Sequence, residues 1–276
     1  MTVRTISLAM VVEDEVSSAS AIAYAVGLAD LERAHLASLV VAPLLDLPSG
    51  RLLPLVHALV DQVNAERLSR AEAARGKIET ACRIAGVPVS CRIIHEKYVD
   101  ARAMLVQATR ASDLVVMPRS TGLLSSEEGL SEGVLFDSGR PVICIPPSWI
   151  AEPKFDRIVV AWDGGARAAR AVGDAMTYLE RAKEVEIVSV TPDEDKNLAG
   201  ADLAEHLSRH CKSLKLTDLP IVHADAGRTL REHLATTKPD LLVMGAYAHS
   251  RLLQFIVGGV TSRMLSEADI PVMYSH

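Results

Sequence analysis

Short apolar runs recur along the chain, most opened by a polar residue and followed by a longer stretch with apolar positions three and four apart. Thr5–Val12, Ala37–Ala42, Val89–Ile94, Asp113–Met117 and Val142–Ile145 form one set of such runs. Arg157–Trp162, Glu184–Val190, Pro220–Ala224, Asp240–Met244 and Pro271–Tyr274 form a second. Runs of this length, rich in Val, Leu and Ile, predict strands buried on both faces. Between them the spacing turns helical over Gly165–Arg181, Leu198–Leu214, Thr229–Thr237 and Leu252–Ala268. Strands alternating with helices predict an α/β chain with parallel sheets covered on both faces.

The two sets read as copies. Asp113-Leu-Val-Val-Met-Pro118 resembles Asp240-Leu-Leu-Val-Met-Gly245. Arg140-Pro-Val-Ile-Cys-Ile145 resembles Ile270-Pro-Val-Met-Tyr274, and Ile6–Met10 resembles Ile158–Trp162. Three pairs in one order argue for duplication. The expected fold is therefore two similar doubly wound, Rossmann-like, parallel five-stranded sheet domains in tandem. Residues 1–147 and 154–276 are the two domains, joined across the proline-rich segment Pro146–Pro153. The first half is longer, and its extra residues fall around Leu44–Ser69. Leu55, Val56, Leu59, Val60 and Val63 there predict a long helix, as a lid or as a packing surface between domains.

Composition narrows the function classes. The chain has 276 residues, 49% of them hydrophobic and 4% aromatic, enough for two cores built on Ala, Val, Leu and Ile. The net charge is -6 with signs interspersed, so no basic run marks a nucleic-acid surface. No stretch has the length of a membrane span, and the first apolar run lacks the flanks of a signal peptide. Cys82, Cys91, Cys144 and Cys211 have no CxxC spacing and read as buried reduced thiols. A cytoplasmic location follows as the expectation.

Open sheets of this kind bind ligands beyond the carboxyl ends of their strands, where strand order reverses. The loop after Asp240–Met244 holds the candidate chemistry. Gly245, His249, Ser250 and Arg251 open it, and Gly258, Gly259, Thr261 and Ser262 close it. Glycine-rich backbone before a helix turns N–H groups toward an anion, and hydroxyls, a histidine and an arginine suit a phosphate. No Walker loop, G-x-G-x-x-G or nucleophile elbow is present.

This loop resembles the signature of the universal stress protein family, G-x2-G-x9-G-[S/T]. Gly245 matches the first glycine and Gly258 the third; Ala248 stands at the second and Gly259 at the hydroxyl position. The run from Gly245 to Leu265 resembles the tandem bacterial branch. The resemblance implies ATP, with magnesium, as cofactor. It places adenine near Asp163 at the end of strand 1 and near Val190 at the end of strand 2. The phosphates would lie on Gly245, His249, Arg251, Gly258, Gly259 and Thr261. It also implies pairing of the two domains within the chain, a homodimer, and protein partners.

Departures and plain readings stand beside that one. Ala248 adds a Cβ and Gly259 removes a hydroxyl. In the first half Pro118 opens the equivalent loop, Glu127 and Glu128 would repel phosphate, and Val11 stands where Asp163 stands in the second. The first half is therefore expected to be silent. Asp163-Gly164-Gly165 also reads as a turn and helix cap, and Asp225 as a helix start. His206 and His210 have zinc-compatible spacing without a third ligand, and Glu13-Asp14-Glu15 reads as a solvated turn. No general base with an orienting partner is legible, so at most weak ATP hydrolysis is expected. Two functions stay open: a stress-response protein with adenine nucleotide in its second domain, or one acting through protein contacts alone.

Overall fold

The structure is a computed structural model that describes residues 2–12, 15–46, 54–119, 126–191, 200–222, 224–246 and 260–276. Only backbone is described for residues 15–18, 54–55, 126–128 and 261–263. The elements alternate. The first half runs β1 (Thr5–Val11), α1 (Glu15–Glu32), β2 (His35–Val41), α2 (Pro54–Ala85), β3 (Val89–Ile94), α3 (Tyr98–Thr109), β4 (Leu114–Pro118), α4 (Ser126–Asp137) and β5 (Val142–Ile145). The second half runs β6 (Arg157–Ala161), α5 (Ala166–Leu179), β7 (Glu184–Thr191), α6 (Ala201–Leu207), β8 (Leu214–Pro220), α7 (Ala226–Thr237), β9 (Leu241–Gly245), α8 (Val260–Glu267) and β10 (Val272–Ser275).

Contacts divide the chain into two compact units, Val3–Arg140 and Pro141–His276, the latter joined by the first two residues. The division falls before β5, ahead of the residue 147 boundary expected from composition. The reason lies in β5 itself, which pairs antiparallel with β10 through Val142↔Tyr274, Ile143↔Met273 and Cys144↔Val272. By sequence each half supplies five strands; by contact β5 goes with the second unit.

In the first unit the strand order is β3-β2-β1-β4, all parallel. In the second, β10-β9-β6-β7-β8 is parallel, with β5 added antiparallel on β10. Leu8, Val116, Val160 and Val243 are at most 1% exposed, as strands covered on both faces require. α5 buries Ala168, Ala171, Val172, Ala175, Tyr178 and Leu179. That spacing is helical, and the small alanines let the helix lie close to the sheet.

The duplication is visible in the hydrogen bonds. Asp113 Oδ2 accepts from Arg4 N and Thr5 N at 2.8 and 2.9 Å. Asp240 Oδ2 accepts from Asp156 N and Arg157 N at 3.0 and 2.9 Å. Each aspartate ties the start of its unit's first strand to its fourth. The registers agree, since Ile6 pairs Leu114 where Ile158 pairs Leu241. Carried along the strands, this equivalence sets Val11 against Asp163 and Pro118 against Gly245.

Two expectations change. The third strand of the second half is Leu214–Pro220, not Pro220–Ala224, and α6 ends at Leu207. Leu214, Leu216 and Leu219 sit among Lys215, Thr217 and Asp218 in a mostly alternating strand pattern, which the helical reading of Leu198–Leu214 had met at its end. The long helix after Leu44 is α2, extending to Ala85. It is the crossover from β2 to β3 within its own unit. Ala71, Ala74, Ile78 and Cys82 are its buried face, and Leu59 is 60% exposed. Arg67 Nη1 donates to Pro43 O and Asn64 bonds Leu45, which fixes the approach to the helix.

None of the four cysteines forms a disulfide; Cys82 and Cys144 are buried, Cys91 and Cys211 half-buried. Burial, and then the neighbouring Cys91, push the Cys82 thiol up to about 11. Such a thiol carries little thiolate at neutral pH. Among the described residues no helix is long and apolar enough to cross a membrane.

Candidate functional site

In the second unit β6 lies between β9 and β7, so the chain leaves β6 in one direction and returns to β9 from the other. The ends of β6 and β9 therefore flank the point where strand order reverses. Two residues with backbone demands meet there. Gly164 has φ +75°, a conformation open to glycine. It lets the chain turn from β6 into α5, and Asp163 Oδ1 accepts from Gly165 N at 2.8 Å across that turn. Gly165, extended at φ -83°, is the N-cap of α5.

Gly245 closes β9 directly beneath the first turn of α5. A Cβ there would stand 2.7 Å from Ala168 N and 2.8 Å from the Arg167 carbonyl carbon. Only glycine permits this approach. It brings the α5 N-terminus, with its partial positive charge, onto the end of β9. Asp163 is exposed and keeps its turn bond as its only hydrogen bond from a described residue.

Of the sequence-predicted site residues, Asp163 and Gly245 come together at this switch point. Val190 is the penultimate residue of β7, half-buried and paired with Leu219. His249, Arg251, Gly258 and Gly259 lie outside the described residues, and of Thr261 only the backbone, in α8, is described. Sequence reasoning passed over Arg167, whose Cβ is one of the atoms a Gly245 side chain would meet. The legible signal was its place two residues after Gly165, in the first turn of a helix that starts at the switch point.

The first unit has a different floor at the same position. Ala9, Met10, Val11, Leu105, Met117, Pro118, Ser131 and Val134 surround a cavity of about 10 Å³, room for about one water. Val11 is 5% exposed and Met10 2%. Pro118 stands where Gly245 stands and offers no N–H. The side chains of Glu127 and Glu128 are outside the described residues, as are Glu13 and Asp14.

Other candidate clusters resolve into structure. Asp225 is the N-cap of α7, its Oδ1 accepting from Arg228 N at 2.9 Å. The His206 and His210 rings are 5.1 Å apart, and His210 Nδ1 lies 3.4 Å from Glu180 Oε1. Among the described residues no group of three His, Cys, Asp or Glu is placed to hold a metal ion. Glu186, 6% exposed on β7, takes hydrogen bonds from Lys215 Nζ at 2.9 Å and Thr217 Oγ1 at 2.6 Å, with His233 Nε2 at 3.2 Å. Burial pushes its carboxyl up, but these three partners outweigh it and hold the group below the usual carboxylate range. The cluster ties β7, β8 and α7 together.

Fold and switch point define the class: an α/β protein with doubly wound sheets and, at one of them, a glycine that closes a strand against a helix N-terminus. Residues 154–276 match the Universal stress protein family. Universal stress protein Slr1230 of Synechocystis is 23% identical over 141 residues, which cover 49% of this chain and 48% of that protein. The match thus spans about half the length of that curated relative. A universal stress protein from Archaeoglobus fulgidus has the same fold over 98% of this chain and 97% of its own, with a TM-score of 0.72 at 18% identity. A functionally unknown protein from Pseudomonas aeruginosa covers 99% and 92%, with a TM-score of 0.55 at 16% identity. Over residues 154–276 the chain is thus similar to the universal stress protein family.

Proposed function

We propose that this stress protein binds an adenine nucleotide, as ATP with magnesium, at the switch point of its second unit, and that the first unit is silent. One observation carries the reading. At equivalent positions the second unit has Asp163 and Gly245, with the α5 N-terminus drawn onto the end of β9, where the first has buried Val11 and Pro118. A helix N-terminus over a glycine favours an anion. The exposed Asp163 carboxylate offers an acceptor to the hydroxyls of a ribose or to the amine of a base.

Calorimetric titration of the full chain with ATP and magnesium tests this, beside Asp163→Asn. Asparagine keeps an oxygen for Gly165 N and removes the charge. Saturable binding at one site per chain, weakened about tenfold or more in the variant, supports the reading. Two sites would overturn the silent first unit. No heat at millimolar nucleotide, from folded and nucleotide-free protein, would leave action through protein contacts, with a homodimer as its first expectation.

A further inference from the structure

Two histidines that the nucleotide reading leaves unused sit together in the second unit. His206 lies in α6 and His210 in the turn that follows it. That turn keeps the helical path. Ser208 N donates to Ala204 O, His210 N to Leu207 O and Cys211 N to Leu207 O, at 2.9, 2.9 and 2.8 Å. The two side chains therefore stay one turn apart on one face. Both residues are exposed, and their ring centres are 5.1 Å apart. Leu203 and Leu207 carry the packing of α6, so the core asks nothing of the rings.

α5 brings a carboxylate to the pair. Glu180 is the C-cap of α5, and its Oε1 lies 3.4 Å from His210 Nδ1. A carboxylate on that side favours the tautomer with its proton on Nδ1 and leaves Nε2 with the free lone pair. Metal-ligating histidines are oriented in this way. The ring separation also fits. With a zinc–nitrogen bond of about 2.0 Å, the metal lies about 3.2 Å from each ring centre, and two rings at the tetrahedral angle have centres about 5.2 Å apart.

We propose that His206 and His210 chelate a divalent metal of the class that favours imidazole (zinc, nickel or copper) through their Nε2 atoms, with Glu180 as the positioning residue for His210. No third His, Cys, Asp or Glu among the described residues completes the set, so water fills the remaining positions. Such a two-point site loads and releases its metal readily, unlike a closed structural centre. Magnesium, which prefers oxygen ligands, does not compete there. The site is independent of the nucleotide reading. Glu180 follows the last residue of α5, whose first turn is at the switch point, and the 14 residues of that helix span about 21 Å.

Calorimetric titration of the full chain with zinc chloride, in excess magnesium, tests the site beside His206→Ala, His210→Ala and Glu180→Gln. All three positions are exposed, so the variants should melt with the parent when metal is absent. The parent is expected to bind one zinc ion per chain saturably, and less tightly at acid pH, because a ligating imidazole must be neutral. Each alanine variant should weaken binding about tenfold or more, and Glu180→Gln about tenfold, the loss that follows removal of a ligand's outer partner. Ring-nitrogen NMR gives a readout that packing alone would not move. Zinc should shift Nε2 of both histidines, and Glu180→Gln should shift the metal-free tautomer of His210 away from Nδ1–H. Zinc binding that survives in both alanine variants places the metal elsewhere and overturns the proposal. No saturable binding by the parent at submillimolar zinc overturns it as well. Unchanged affinity and tautomer in Glu180→Gln overturn the part given to Glu180.

Discussion

The two switch points are built on the same hydrogen-bonded frame and filled differently. Asp113 and Asp240 hold their strands alike, and the registers of β1 with β4 and β6 with β9 coincide. Beyond the strands the resemblance stops. The first unit packs Met10, Val11, Met117 and Pro118 around a cavity fit for about one water. The second leaves Asp163 exposed and presses a glycine against a helix N-terminus. A duplicated fold can keep its frame while the two copies fill the carboxyl ends of their strands differently. The frame is fixed by backbone pairing, and the strand ends by a few side chains.

Exchanging residues across the units should break this comparison most sharply. Val11→Asp would bury a carboxylate among Met10, Leu105 and Val134, at an expected loss of about 3 kcal/mol. The reverse change, Asp163→Val, removes one turn hydrogen bond at an exposed position and should cost about 1 kcal/mol. Denaturant unfolding of the two variants measures both, and equal losses would mean that the two ends are packed alike.

The strand-tying aspartates should differ less. Asp240 is 5% exposed and also meets Lys154 Nζ at 3.1 Å. Asp240→Ala leaves two part-buried N–H groups without their acceptor and strands Lys154, and should cost about 2 kcal/mol. Asp113 is only half-buried, so Asp113→Ala should cost about 1 kcal/mol. Thermal unfolding that ranked them the other way would place the firmer frame in the first unit.

The smallest effect sharpens the comparison through pH. Glu186 has no counterpart in the first unit, where Ala37 occupies its register position. Its folded pKa lies below its unfolded one. Its contribution is therefore complete above the ordinary carboxylate range and lost as pH falls through the lowered folded value. Glu186→Gln should cost about 1 kcal/mol at neutral pH and flatten the acid side of the stability curve. An unchanged acid limb would show that the Lys215, Thr217 and His233 partners do not discriminate the charged form.

Gly245 shows how much of the site was legible. Its place in the repeat and in a phosphate-loop pattern is written in the sequence, but its contact with Arg167 and Ala168 is not. A substitution there would disturb packing before any ligand, which is why Asp163 is the better probe. Asp163 was legible as turn and as ligand contact alike; the structure shows the turn bond and leaves the carboxylate exposed. The strand Leu214–Pro220 was not legible where it lies, because the helical spacing of the residues before it ran on into its start.

The sequence by itself determined the alternation of strands and helices, the duplication and the asymmetry between Val11 and Asp163. These follow from local periodicity and from residue chemistry at equivalent places, which need no knowledge of distant contacts. Tertiary structure alone decided three things. It assigned β5 to the second unit through pairing with β10, ended α6 at Leu207 so that β8 could begin at Leu214, and set Glu186 beside Lys215. Each depends on which backbone groups find partners across the sheet, and strand order is a property of the whole fold that no local pattern encodes.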